Sequence, residues 1–489
     1  MATDAGRYRF PPLERRGIIA GISGTQLAVA AGGCATALAV LRLVPGAAGT
    51  VLALTVVTAT GVAACWRIAG RTPGGWAPIA ASWLRRRAAQ PGLSDAPEVG
   101  TTLAGPPRAA PPVALAGVRI TAAPEFPGSP PMGVVRDIKA GTLAAMLAVR
   151  GRSFSLLDPS EKHRRLEAWG AVLAGLCREG SPVHRIQWVE RAMPGDRDGL
   201  RRYLEESGRP ALASGGVEAW NSYAELISGA GPVGETHTSV VVLAIHRRKA
   251  ARAARTFGRG QAAACGVLRR ELRLLEGQLR HAELVVDRVL TASEVVAALR
   301  AAVDPPGPAA APAAGGDESV AWPMATDEGW ATWRSDSCWH ASYWISEWPR
   351  MEVGADFLSP LLLAASGCRT ASVVMAPIPA GRAAREVEAA RTADLADEQL
   401  RQKAGFLTTA RRQREAEGVI RRESELADGH AEFRFSGYVT VSAANVADLD
   451  LACVEIEQAA RQSNLELRRL YGQQAEAFTW TLPLARGLK

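Results

Sequence analysis

Lysine is almost missing from this chain. Of 57 basic residues in 489, five are lysine (139, 162, 249, 403 and 489) and the others are arginine. No Gly-Lys dipeptide occurs. A P-loop therefore has no lysine to reach the β- and γ-phosphates of a nucleotide, and the chain is expected neither to bind nor to hydrolyse ATP by itself. The seven cysteines (34, 65, 177, 265, 338, 368 and 453) include no C-x-x-C pair, which excludes zinc ribbons and thioredoxin-like redox motifs. An odd, scattered set also argues against a disulfide framework and fits a reducing compartment. The seven histidines form no H-E-x-x-H, no G-x-S-x-G elbow is present, and no carboxylate pair stands out among 49 acids. A literal G-x-G-x-x-G at Gly229–Gly234 follows a predicted helix and precedes a predicted strand. That is the reverse of a dinucleotide fold, and Pro232 has no amide to offer a phosphate, so the stretch reads as a loop. The expectation is a non-enzyme with no catalytic residue, cofactor or metal ligand.

What is present is a lopsided charge. Residues 1–90 hold ten arginines against Asp4 and Glu14, whereas residues 91–489 are neutral overall, with 47 basic and 47 acidic side chains. A nucleic-acid protein would carry its excess on a folded domain, so no direct nucleic-acid binding is expected. The N-terminal charges bracket two uncharged runs, Gly17–Leu41 and Leu43–Trp66. Each exceeds the roughly 20 residues that cross a bilayer. Only Arg42-Leu43-Val44-Pro45-Gly46 separates them, so the two spans must be antiparallel. Arginines 7, 9, 15 and 16 precede the first span, and 67, 71 and 85–87 follow the second. The positive-inside rule then predicts a multi-pass protein of the cell membrane with both termini cytoplasmic, and Trp66, Trp76 and Trp83 suit a headgroup-level belt.

Beyond the hairpin region (1–90), a Pro-rich linker occupies 91–132, with one strand expected near Ala114–Ala122. A Pro/Ala/Gly break at 304–316 divides the rest into domains 133–303 and 317–489. In the first, Leu143–Val149 and Phe154–Leu156 read as a hairpin. Asp158-Pro159-Ser160-Glu161 opens a helix with an N-cap acid and Pro at the first helical position, and strands follow at Val183–Glu190 and Thr238–Ile245. Helices are predicted at Val217–Ile227 and Ala263–His281. In the second, strands at Trp339–Trp348 and Thr370–Met375 flank a short helix near Asp356–Leu363. A helical stretch, Arg382–Ala427, is interrupted near Gly405 and Gly418; its paired charges read as a solvated face, with a subunit-contact arm as the sharper reading. Phe433–Ser442, Val446–Ser463 and Leu465–Tyr471 complete a strand–helix–strand unit. The fold class is α+β: a transmembrane helical hairpin, then a two-lobed cytoplasmic body with ferredoxin-like strand–helix–strand units. Trp322, Trp330, Trp333, Trp339, Tyr343, Trp344 and Trp348 fall within 27 residues. They read as core and domain contact, with Trp339, Tyr343 and Ile345 on one strand face and Trp344 and Trp348 on the other.

The hairpin, with Pro11-Pro12 before it and Trp83-Leu84-Arg85-Arg86-Arg87 after it, resembles PrgI-like two-helix inner-membrane subunits of conjugative type IV secretion systems. Phe435–Val441, Glu466–Tyr471 and Gln473–Leu484 resemble the N-terminal, non-motor part of the large conjugation ATPase, and most of the chain, including Gly170–Leu176 and Gln187–Arg191, resembles actinobacterial conjugation-locus membrane proteins. The resemblance implies a non-enzymatic component of a conjugation machine that works as an oligomer. It also implies a separate motor ATPase and other channel subunits as partners. The motor would dock at Phe433–Leu484, and residues 472–489, lying beyond the last strand, would be dispensable for folding. The alternatives are a type VII secretion membrane component, expected to have a shorter body without the terminal Gln-rich, Leu-Pro segment, and a membrane-tethered enzyme with an unrecognised site.

Overall fold

The computed structural model describes residues 10, 24–66, 70–89, 110–151, 154, 156–194, 218, 221–222, 225, 235–258, 260–305, 318–364, 367–403 and 410–488. The two apolar runs become α1 (Gly24–Leu43) and α2 (Ala47–Cys65), each long and apolar enough to cross a bilayer. They turn at Val44-Pro45-Gly46 and pack closely. A Cβ on Gly33 would stand 2.3 Å from Thr60 Oγ1, so only glycine lets the backbones approach there. Gln26 donates across to the carbonyl of Ala64 at 2.8 Å. A third helix, α3 (Pro73–Ala89), follows.

The body is built on one sheet whose described pairings are all antiparallel. The first half supplies β1 (Val118–Ala122), β2 (Gly133–Asp137), β3 (Thr142–Arg150), α4 (Pro159–Leu176), β4 (Val183–Pro194), β5 (Glu235–His246), α5 (Arg247–Ala254), α6 (Gly260–His281), β6 (Val285–Val289) and α7 (Ala292–Val303). The second half supplies β7 (Thr326–Glu328), β8 (Trp333–Ser335), β9 (Cys338–Glu347), α8 (Ser359–Leu362), β10 (Cys368–Ile378), α9 (Ala380–Lys403), α10 (Ala410–Ala427), β11 (Glu432–Ala443), α11 (Val446–Gln462), β12 (Glu466–Arg469) and α12 (Gln474–Thr481).

These two lists describe the same unit twice. In the first half the order is β4-β5-β3-β6, and in the second it is β10-β11-β9-β12. Each is a ferredoxin-like β-α-β-β-α-β sheet. The central strand of each is shared in the same way. The start of β3 pairs with the β1–β2 hairpin and its end with β6; the start of β9 pairs with the β7–β8 hairpin and its end with β12. Each unit also ends on a helix, α7 or α12. The units join through β4 and β10, whose antiparallel register runs from Arg369 opposite Ala192 to Met375 opposite Ile186. The halves flanking 304–316 are therefore topological repeats fused edge to edge, related by a pseudo-two-fold through the β4–β10 seam.

On one sheet face, α4 and α6 cover the first unit and α11 covers the second, burying Leu268, Leu272 and Leu275 in one cluster and Leu449, Cys453 and Ile456 in another. On the other face lie α7, α12 and the segment after α12. There Val295, Leu299, Trp322, Trp333, Phe478, Leu482 and Leu484 pack with β1, β3 and β5 into a cluster drawn from both halves.

Several local expectations change. Phe154 and Leu156 form no strand, and β3 takes its partners from β2, β5 and β6 instead. Gly418 lies inside α10 without interrupting it, while the neighbourhood of Gly405 is outside the described residues. The Gly229–Gly234 motif and most of Val217–Ile227 are also outside them. Trp348 lies past the end of β9 and packs with the cluster of Tyr343 and Ile345 rather than with Trp344 on the opposite face. The largest correction concerns residues 472–489. The described part, 472–488, is core: Phe478, Leu482 and Leu484 are buried, as is Trp480, and the segment crosses the seam from Thr440 on β11 to Gln187 on β4.

Candidate functional site

The junction between the α1–α2 hairpin and the body is built around α3. Its start lies beside the spans, where a Cβ on Gly74 would touch Val29 of α1 at 3.8 Å. One face of α3 docks on the second unit. Trp330, in the β7–β8 turn, receives Trp83 edge-on at 5.3 Å between centroids and Trp76 at 5.8 Å, and Trp76 also meets Tyr471 at 6.4 Å. Aromatic pairs at such spacings add roughly 0.5–1.5 kcal/mol each beyond area burial. Trp76 and Trp83 thus face the body, not the headgroup belt expected from sequence. Arg86 completes the dock. Its Nε and Nη2 donate to Glu328 at 3.0 and 3.1 Å, and Nη2 donates to the carbonyl of Gly472 at 2.7 Å. Glu328 is buried, so the fork-shaped pairing satisfies a carboxylate that water cannot reach. Gly472 has φ +68°, and a Cβ there would strike Trp330 at 2.7 Å and Ile79 at 2.9 Å. Only glycine suits both the left-handed backbone and the close approach. Nearby, burial and then the Arg468 guanidinium hold the pKa of Arg71 below its ordinary value.

Phe10, ahead of the spans, ties the chain to the same unit. Its ring lies 5.2 Å from Trp348, 5.3 Å from Phe357 and 6.4 Å from Phe435.

Beneath α12 the seam is polar. The Gln187 side-chain amide on β4 donates within reach of Ser372 Oγ on β10 (2.8 Å) and the carbonyls of Leu482 (2.9 Å) and Trp480 (3.1 Å). Its Oε1 accepts from the Ala485 amide at 2.6 Å. Gln474 does the same on β9, accepting from Ser342 N at 2.8 Å and donating to Leu470 O at 3.0 Å. Thr440 hydroxyl links Ser342 (2.8 Å) to Thr481 (2.9 Å). Arg486 reaches Asp137 at 2.7 Å. His340 is fully buried between the hydroxyls of Ser335 and Ser442, at 2.7 and 2.8 Å; burial pushes its pKa down to about 3, so it is neutral. Networks of this kind, satisfied on every side, fix register.

On the opposite face the seam carries an ionic clasp. Arg369 of β10 forks onto Glu235 of β5, with Nη1 to Oε1 at 2.7 Å, and His237 bridges Glu235 (3.5 Å) and Glu190 (3.1 Å). Ser239 hydrogen-bonds Glu190. The gap beside it, lined by Glu190, Leu361 and Arg369, holds about 10 Å³, room for one water. Burial raises the Cys177 and Cys338 pKa values to about 11 and about 12, so these remain thiols rather than nucleophiles. Among the described residues no group of three or more His, Cys, Asp or Glu is arranged to hold a metal ion.

The remaining projection is the α9–α10 hairpin between β10 and β11. At about 1.5 Å per residue, α9 is about 36 Å long. Ala383 and Val387 anchor its first turns and Arg391 pairs with Glu423 at 2.5 Å, while Leu395 and Ile420 are exposed.

Gln187 and Gln474 occur in stretches quoted for the family resemblance, yet nothing in the sequence marks them as buried cross-links. Gly472 and Arg86 are likewise invisible as a pair, being 386 residues apart.

Residues 234–345, from β5 to β9, match the family model described as "Putative type VII ESX secretion system translocon, EccE". No curated protein matches the chain. The match and the two candidate spans together support a membrane protein of a secretion system.

Proposed function

We propose that the chain is a non-enzymatic membrane component of a type VII secretion machine rather than of a conjugation machine. The observation that carries this is the match over residues 234–345, which runs from β5 through α7 to the docking hairpin β7–β8 and most of β9. The conjugation reading expects a motor ATPase to dock at Phe433–Leu484, with residues 472–489 dispensable for folding. Residues 474–485 are instead packed across the sheet, which takes this part of the docking surface away.

In this reading the hairpin anchors the chain, α3 holds the body at the membrane, and the α9–α10 arm contacts other subunits, a separately encoded motor ATPase among them. The arm can be excised cleanly. Ile378 and Glu432 are cross-strand partners, so an Asn-Gly turn would close β10 onto β11. Affinity purification of the full chain from solubilised membranes is expected to recover type VII subunits. The armless variant should insert and fold but lose them. Recovery of conjugation proteins with the intact chain would overturn the type VII reading, and full recovery with the armless variant would overturn the role of the arm.

The arginine asymmetry supports cytoplasmic termini, and Phe10 packed on the body supports putting the N-terminus and body on one side. A cysteine introduced at Gly46 should react with an impermeant maleimide in intact cells, and one introduced at Ser94 should not. The reverse pattern would invert the topology.

A further inference from the structure

The dock of α3 uses one face of the helix; the other meets α1 at Gly74, and Leu84 and Arg85 in its C-terminal half are left exposed. Trp76, Ile79, Trp83 and Arg86 turn toward the body. Leu84 is 58% exposed, and Arg85 and Arg87 are exposed beside it with no carboxylate partner among the described residues. The Arg87 guanidinium lies over the Trp83 ring at 5.3 Å, which holds it at the helix surface. Trp66, the first residue after α2, is 62% exposed.

Three observations say what covers this face. First, the chain leaves it little freedom. Seven residues separate Cys65, where α2 ends, from Pro73, where α3 begins, and α3 starts in contact with Val29 of α1. A helix so tethered stays at the level where the spans leave the hydrocarbon. Second, the face pairs exposed apolar groups with unpartnered cations, the composition that suits an interface of acyl chain and phosphate. Third, the chain's net positive charge resides in residues 1–90 and the body is neutral, so the cations lie where headgroups are and not on the surface open to other partners.

We propose that the outer face of α3, centred on Leu84 and Arg85 and flanked at its edge by Arg87, lies on the membrane surface and binds anionic phospholipid headgroups, so that α3 is a strut clamped between bilayer and body. This rests on α1 and α2 being membrane spans, and goes beyond anchorage. It fixes the distance and tilt of the sheet over the membrane, because the same helix is locked to β7–β8 by Trp330, Glu328 and Gly472.

The test uses the full chain in nanodiscs of phosphatidylcholine, with or without phosphatidylglycerol. Photoreactive benzoylphenylalanine is placed at Leu84, at Leu54 on the exposed face of α2, and at Leu451 on the exposed face of α11, and adducts are read by mass spectrometry. Leu84 is expected to cross-link lipid, more strongly with phosphatidylglycerol, and Leu451 is not. In the Arg85→Gln/Arg87→Gln variant the phosphatidylglycerol preference should fall by roughly tenfold. Cross-linking of Leu84 to a second copy, or no lipid adduct while Leu54 gives one, overturns the proposal and leaves the spans standing. Equal yields in both lipids overturn the headgroup preference. Failure at Leu54 as well overturns the membrane reading beneath it.

Discussion

A chain cut after Tyr471 is expected to have no folded body. Residues 474–488 look like a tail in sequence but close one face of the sheet. Phe478 stacks 4.5 Å from Trp333 and 4.6 Å from His340, and Trp480 sits 4.9 Å from Tyr438. Truncating one such aromatic to alanine costs about 3–5 kcal/mol, and a whole domain has about 5–15 kcal/mol to lose. Cutting also strips Gln187, buried on β4, of its contacts with Trp480, Leu482 and Ala485. Each unsatisfied group adds about 1–3 kcal/mol. The full cut should abolish the cooperative thermal transition and make the sheet protease-sensitive. Phe478→Ala alone should lower stability by about 3–5 kcal/mol with the transition retained. A truncated protein that melts within a few degrees of the intact one would show that the segment is an appendage. Loss of a partner after this cut would carry no information about docking, since the body would be lost with it.

The second large effect is expected at Arg86→Ala. Glu328 then keeps a buried negative charge with no cation, and Gly472 loses the donor to its carbonyl. Breaking one half of a buried ion pair costs about 3–5 kcal/mol. Because the pair bridges α3 and the β7–β8 hairpin, the cost falls on the dock. The body should come free of α3 while keeping its own transition, seen as new protease cleavage around Trp83 and Trp330. Arg86→Met combined with Glu328→Leu should recover most of the loss, because no charge is left stranded. Equal destabilisation by the single and the double variant would show that the ion pair is not what holds the dock, leaving the three tryptophans as the alternative.

The spans, the start of α4, and β9, β11 and α11 are legible because each carries its own signal: charge-free length, Asp158-Pro159, or a helical stripe. The repeat is not legible, for two physical reasons. Strands buried on both faces lose the period-two alternation that marks a strand; Thr142–Arg150 is buried almost throughout and reads as an apolar run. The counterpart of the 18-residue α4 is the four-residue α8, so the units do not look alike. The site is less legible still. Gln187, Arg86 and Gly472 act through partners more than a hundred residues away, as Gln474 does toward Ser342, and a single strand of text gives no measure of which polar residues will meet. Trp330 shows the same limit: the aromatic cluster was visible, but its reception of α3 depends on where the β7–β8 turn lies.

The seam also sets an order of events during synthesis. The spans are complete at residue 65, whereas the strand that joins the halves ends at residue 378 and the segment that seals one face runs from residue 474. At roughly 5–20 residues per second, some twenty seconds to over a minute separate insertion of the hairpin from closure of the sheet. If α1 and α2 span the membrane as proposed, the first unit then waits there with its β4 edge bare until β10 emerges, a template for wrong pairing. The nascent chain must keep this edge from other copies while it waits for β10, and anchorage beside the translating ribosome is the condition under which that wait takes place.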